Sequence, residues 1–156
     1  MRSAAPAIQW REYTLVEARA RRQEALQKFS QNVIESLQPA CIILFGSSAK
    51  GTDQVGSDLD VVVVGGKLPV STSERMRCIG RLKWDLPVSI DTFPYTETEF
   101  EQMLENLHVT ALDCMSEGVP LHGQDYFERL RPKFNAYVER GLKKGKAAWF
   151  FEKKKP

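Results

Sequence analysis

Apolar positions recur every three or four residues from Leu15 to Leu37. Leu15, Ala18, Arg22, Leu26, Phe29, Val33 and Leu37 fall on one side, and six of these seven are apolar. That period marks an amphipathic helix. Thr14-Leu-Val-Glu17 opens it as a capping box, in which the hydroxyl and the carboxylate each satisfy a free backbone N–H. Gln38-Pro39 ends it, because a residue before proline is pushed out of the helical region. The predicted helix spans 14–37, with Arg19, Arg21, Glu24 and Lys28 on its wet side. Ahead of it, residues 1–13, with Ala4-Ala5-Pro6, read as a loose terminus.

The period then changes. Cys41 to Phe45 is a continuous apolar run ending at Gly46-Ser47, and Val61 to Val64 is another, ending at Gly65-Gly66. Both read as buried strands. Ser71-Thr-Ser-Glu74 is a second capping box, predicting a helix with Met76, Ile79, Leu82 and Trp84 on its buried side and a stop at Asp85-Leu-Pro87. Val88 to Phe93 alternates: Val88, Ile90 and Thr92 share one face, and Asp91 takes the open one. A third box, Thr96-Glu-Thr-Glu99, precedes Phe100, Met103, Leu104 and Leu107 at helical spacing. A helix around Thr110 to Glu117 closes at Gly118 as a left-handed cap, and Val119 to Gly123 reads as an edge strand that tolerates Pro120. Asp125 is placed as the cap of a last helix carrying Phe127 and Leu130, which Pro132 breaks or restarts before Phe134, Tyr137 and Val138. There is no internal repeat, and the one biased stretch is Lys143 to Lys155.

At 156 residues the chain is expected to form a single domain, 1–156, with a core that needs no disulfides. Cys41, Cys78 and Cys114 are scattered and form no CxxC pair, which points to free thiols in a reducing cytoplasm. No apolar run approaches the roughly 20 residues of a membrane span, and no signal-peptide core opens the chain, so a soluble protein without membrane contact is expected. The net charge of +2 is unevenly placed: residues 38–125 hold 6 Lys/Arg against 13 Asp/Glu, and residues 126–156 hold 10 against 3. An acidic middle suits a cation; a basic tail suits an acidic or phosphate-rich partner, or simply water.

Asp58 and Asp60 carry the candidate chemistry. As residues i and i+2 at the mouth of a valine strand they project together, and two unneutralised carboxylates beside hydrocarbon are costly without a cation or donor. Asp53 and Asp58 also fit turn formers beside Gly56-Ser57. His108 and His122 have no ligand partner at useful spacing. Gly46-Ser-Ser-Ala-Lys-Gly51-Thr52 fails as a Walker A loop, because Lys50 precedes the second glycine instead of following it. A dehalogenase-type phosphatase motif fails on order, since there the strand comes before the aspartates. A glycosyltransferase Asp-x-Asp stays open, although those domains are usually longer.

One family matches both order and letters. Gly46-Ser47, then ten residues from Ser48 to Ser57, then Asp58-Leu-Asp60 resembles the signature of the minimal nucleotidyltransferases, which share the polymerase-β-type fold. The flanking strands agree, Asp91 matches the third carboxylate expected on a later strand, and Glu117 to Gly123 is similar to the segment that closes many such domains. The resemblance covers residues 40–123.

That resemblance implies an α/β (α+β) fold: a small mixed sheet with helices on one face. The helix 14–37 would precede the core 40–123, and a basic helical extension, 124–156, would follow it. It implies a metal-dependent transferase moving a nucleoside monophosphate, AMP from ATP by preference, to a hydroxyl and releasing pyrophosphate. Asp58 and Asp60 would bridge two Mg2+ ions, with Mn2+ as a substitute. Asp91 would hold the catalytic ion and accept the acceptor's proton. Gly46, Ser47 and Lys50 would bind the nucleotide, the glycine by admitting the triphosphate without a Cβ. Many relatives are antitoxins that add AMP to a tyrosine of a HEPN-type toxin, so such a partner is implied here. A nucleic-acid acceptor stays open, as does a homo-oligomer built through the N-terminal helix. The alternative is a catalytically silent nucleotide- or partner-binding module of the same fold. Trp149-Phe150-Phe151 either packs on the body or forms a docking patch rimmed by lysines.

Overall fold

The computed structural model describes residues 14–153. The expected loose terminus at 1–13, and Lys154 and Lys155 of the basic tail, lie outside the described residues.

Helix α1, Leu15–Leu37, starts at its capping box, with the Thr14 hydroxyl accepting from the Glu17 N–H at 3.2 Å, and ends where Gln38 turns left-handed at φ 48°. Strand β1, Cys41–Phe45, is followed by one helical turn, α2, Ser47–Lys50, and then by β2, Leu59–Val64. Helix α3, Thr72–Lys83, carries the chain across to β3, Ile90–Tyr95. Helices α4, Glu97–Glu105, and α5, Val109–Glu117, lead into β4, Val119–His122. Helix α6, Gln124–Glu139, precedes a hairpin of β5, Leu142–Lys144, and β6, Trp149–Phe151. The main sheet runs β3-β2-β1-β4; β2 and β3 are parallel, and the other pairs antiparallel.

The expected class, a small mixed sheet behind a long N-terminal helix, is what the chain adopts. The helices, however, cover both faces of the sheet and not one. Ile42, Leu44, Leu59, Val61, Val63 and Ile90 pack against Leu26, Phe29 and Val33 of α1 and Ile79 of α3. Cys41, Ile43, Val62 and Val64 pack against Phe100, Leu104, Leu112 and Phe127 from α4, α5 and α6. Two-sided cover explains why the central strands are continuous apolar runs without alternation.

Local expectations fail where packing overrides pattern. Met76 and Trp84 face water, Trp84 at 81% exposure, and Arg75 takes the buried place beside Ile79. Its guanidinium grips Glu99 of α4 through two 2.9 Å bonds. Strand β3 begins at Ile90, not Val88, and runs on through Pro94, which costs no ladder bond on an outer edge. Gly118 is extended (φ −70°, ψ 151°) and not left-handed; a Cβ there would stand 2.2 Å from the Cys114 carbonyl oxygen. Gly123, left-handed at φ 74°, occupies the N-cap of α6, so Asp125 lies inside the first turn. Pro132 neither breaks nor restarts α6, whose buried row Tyr126, Phe127, Leu130 and Phe134 spans it. The extension is helical only as far as Glu139. Beyond it the chain forms the β5–β6 hairpin, closed by a Gly145 N–H bond to the Ala148 carbonyl (2.9 Å) and seated by Leu142, which is buried.

Candidate functional site

Three strand ends meet on the α4–α6 side of the sheet. Phe45, the last residue of β1, is the register partner of Asp60 in β2, and Asp60 is the partner of Asp91 in β3. Asp58 lies two residues before Asp60, just outside the strand, and is exposed, as is Asp91; Asp60 is half-buried. As register partners on neighbouring strands, Asp60 and Asp91 share a face at one rim of the sheet, and Asp58 lies on the connector just before it. Phe45 and Phe93 lie on the same face, their ring centroids 5.6 Å apart.

Gly46 completes this row. At φ 76° it favours glycine, and a Cβ would stand 2.4 Å from Asp60 Oδ2, so the absent side chain makes room for the carboxylate as well as for any phosphate. Ser47 opens α2, and Gly51, at φ 75°, closes it. Burial raises the Asp60 carboxyl above its usual range, and the charges of Asp91 and then Asp58 push it the same way. Among the described residues, no three His, Cys, Asp or Glu side chains stand close enough together to hold a metal ion. The donor set is nonetheless all hard carboxylate oxygen, the kind that suits Mg2+ or Mn2+.

Lys50, at the end of α2, sits with its Nζ 3.7 Å from Glu117 Oε2. Glu117 is shared with Lys144 of the hairpin at 3.2 Å, and Lys144 also reaches Asp113 at 3.0 Å. Asp113 in turn accepts from the Trp149 indole N–H at 2.9 Å, and Trp149 meets Phe134 edge-on at 6.1 Å. Trp149 thus packs on the body, whereas Phe150 and Phe151 are each nearly half exposed. His108 caps α5, its Nδ1 accepting from the Thr110 N–H at 3.2 Å.

Two groups beside the site were missed by sequence reasoning. Lys83 donates to the Ile90 carbonyl and to the Thr92 hydroxyl (3.3 Å), the acceptors flanking Asp91 along β3. Burial lowers its pKa, and the nearby Asp91 charge opposes that. Nothing local marks a lysine at a helix end as special. Asp53, which sequence reads as a turn former, is buried and held by Arg22 and Arg19 of α1. Here a signal existed: Arg22 was the one polar member of an apolar stripe, and a buried guanidinium needs an anion. Among the described residues no helix is long and apolar enough to cross a membrane.

Comparison with known proteins bears on the fold and the family. The family model described as nucleotidyltransferase domain matches residues 24–114. A crystal structure of a candidate nucleotidyltransferase from Sulfolobus solfataricus superposes with TM-score 0.51 at 18% identity, covering 72% of this chain and 89% of that one. A toxin-antitoxin crystallised with AMP-PNP gives TM-score 0.53 at 20% identity, covering 72% and 86%. A mutant of the toxin-antitoxin MntA-HpeT gives 0.51 at 16%, covering 72% and 85%. No curated protein matches the chain. At these identities the solved structures establish the shared fold, while the family model spans more than half the sequence: the chain belongs to the nucleotidyltransferase domain family.

Proposed function

We propose that the protein transfers AMP from ATP to a hydroxyl acceptor. Asp58, Asp60 and Asp91 act as the metal-binding carboxylates, and Gly46, Ser47 and Lys50 hold the nucleotide. The observation that carries the reading is the row Gly46–Asp60–Asp91 across adjacent strand ends, with Asp60 destabilised by burial and by two like charges. A cation would relieve that repulsion, so the residues fit the group the family implies. When bound, two Mg2+ ions (or Mn2+) would stabilise charge on the attacking and leaving oxygens.

The chain's own groups do the rest. The acceptor oxygen bonds to the α-phosphorus, the bond to the β-phosphate oxygen breaks, and pyrophosphate leaves. Asp91, exposed at the outer strand, takes the proton of the acceptor hydroxyl. Ser47 offers a hydroxyl and an N–H to the triphosphate, and Lys50 turns from Glu117 towards it. Lysine rather than arginine here gives a point charge and no fork.

The neighbour crystallised with AMP-PNP supports an adenine nucleotide, and the toxin-antitoxin neighbours support a protein partner, which in this reading is a HEPN-type toxin that receives AMP on a tyrosine. A reducing cytoplasm is supported by Cys41, Cys78 and Cys114, all free.

The test is a labelling assay with α-phosphate-labelled ATP, Mg2+ and an extract of the source cells, run beside Asp58→Ala/Asp60→Ala. Label on a protein or RNA that disappears in the double variant supports the reading. Mg2+-dependent nucleotide binding without any transfer, with all four nucleotides tried, replaces it with the silent module.

A further inference from the structure

Asp60 and Asp91 are held in place by the β2–β3 ladder, whose register begins at Leu59 and Ile90. Asp58 lies just before it. Its position depends on the irregular connector that leaves α2 at Gly51. Two arginines of α1 grip that connector at every second residue. Arg19 donates to the Gly51 carbonyl at 3.3 Å and, through Nη2, to Asp53 at 3.0 Å. Arg22 donates to the Asp53 carboxylate and to the Val55 carbonyl, the latter at 3.1 Å. A short turn follows at once, the Gln54 N–H bonding Ser57 Oγ at 2.7 Å and the Ser57 N–H bonding the Gln54 carbonyl at 3.1 Å, and it delivers Asp58. Arg22 and Asp53 are each less than a tenth exposed, and with Asp58 and Ser89 the arginine borders a cleft of about 220 Å³. Both arginines precede residue 24, where the family match begins.

We propose that Arg22, assisted by Arg19, is a positioning residue for the reaction: through Asp53 and Val55 it fixes the connector and so sets Asp58 for cation binding. The inference rests on the functional reading above. A fork of N–H donors suits this task, since one guanidinium serves a carboxylate and a backbone carbonyl together, which an ammonium cannot copy in the same geometry. Outer groups that orient metal ligands in this way typically govern affinity or activity by about 10- to 100-fold. The N-terminal helix is thereby part of the working site and not only of the core.

The experiment compares the full-length protein with Arg22→Lys, Arg19→Ala and Asp53→Asn. Mn2+ affinity is measured by titration of the ATP-loaded protein, hydrogen exchange over residues 52–58, and kcat and KM for ATP on the acceptor found by labelling. Arg19, half exposed, gives a variant that folds even if the buried substitutions do not. The expected result is faster exchange in the connector, Mn2+ binding weakened about tenfold, and kcat down by a similar factor with KM for ATP little changed. High Mn2+ should restore part of the rate, and Arg19→Lys part of the affinity. Wild-type transfer with unchanged Mn2+ affinity in folded variants would overturn this inference alone. A wild type that neither binds Mn2+ nor transfers a nucleotide would overturn both it and the reading beneath it.

Discussion

Asp60 and Asp91 are register partners across the parallel β2–β3 pair, and Gly46 closes on Asp60 from the β1 side so tightly that no side chain fits between them. The centre of the site is thus an ionisable group pressed by backbone on one side and by a like charge on the other. Such a group, when charged, works against the fold.

Asp60→Asn should therefore stabilise the protein when no divalent ion is present. The folded-state pKa of Asp60 lies above its unfolded value, so the native protein binds the extra proton between the two, and stability falls as pH rises through that window. At neutral pH the variant should melt about 2–4 °C higher than wild type. The gain should shrink as pH falls through the folded-state value of Asp60, vanish below the unfolded one, and shrink also in millimolar Mg2+, while transfer drops to background. Calorimetry with and without the ion reads it.

Gly46→Ala places a methyl group 2.4 Å from Asp60 Oδ2 on a left-handed backbone. The strain should cost about 1–3 kcal/mol, and the displaced carboxylate should lower kcat more than it raises KM for ATP. Paired melting curves and steady-state rates check both.

Asp53 shows the opposite linkage to Asp60. Arg19, and then Arg22, hold its carboxyl below the usual range against the cost of burial. Its stabilisation is full above the unfolded value and is lost as pH falls through the folded one. Asp53→Asn leaves the buried Arg22 guanidinium without its carboxylate counter-charge, with the Val55 carbonyl still accepting from it, which should cost about 3–5 kcal/mol at neutral pH. Melting temperatures from pH 7 down to pH 2 should converge for the two proteins at the acid end.

The hairpin should separate into two functions. Trp149→Ala removes the Phe134 contact and the bond to Asp113, so a stability loss of about 2–4 kcal/mol is expected in chemical denaturation. Phe150→Ser/Phe151→Ser alters only half-exposed rings and should leave the melting point within about 2 °C while weakening capture of a protein acceptor. Equal pull-down of the labelled acceptor by both forms would remove the docking patch. Deleting residues 143–156 is the poorer experiment, since it also strips Lys144 from Glu117 and Asp113.

What sequence revealed was whatever local chemistry decides. The N-cap half of all three predicted capping boxes forms, the Thr14, Ser71 and Thr96 hydroxyls accepting from the Glu17, Glu74 and Glu99 N–H groups at 3.2, 3.4 and 3.1 Å. The apolar runs became central strands, and alternation put Asp91 on the open face beside Asp60. Features set by distant partners stayed hidden. The pairing of Asp53 with Arg22, 31 residues away, decides burial for both, and no window of sequence contains it. Met76 and Trp84 satisfy the helical period yet are exposed, because none of the described elements packs over their side of α3. In the tail the lysines concealed a hairpin whose anchor, Trp149, meets a phenylalanine from α6.

The parallel pairing of β2 with β3 also fixes the order of events during synthesis. Parallel neighbours cannot be joined by a tight turn, so α3 must cross between them before Asp91 reaches Asp60. A nascent chain that has emerged only as far as Val64 contains the partners of the β1–β2 pair, with Asp60, but not Asp91. Strand β4 emerges later still and docks on the other side of β1. Such non-local closure slows folding, and it means that competence for transfer appears late, when the ribosome has already released most of the sheet.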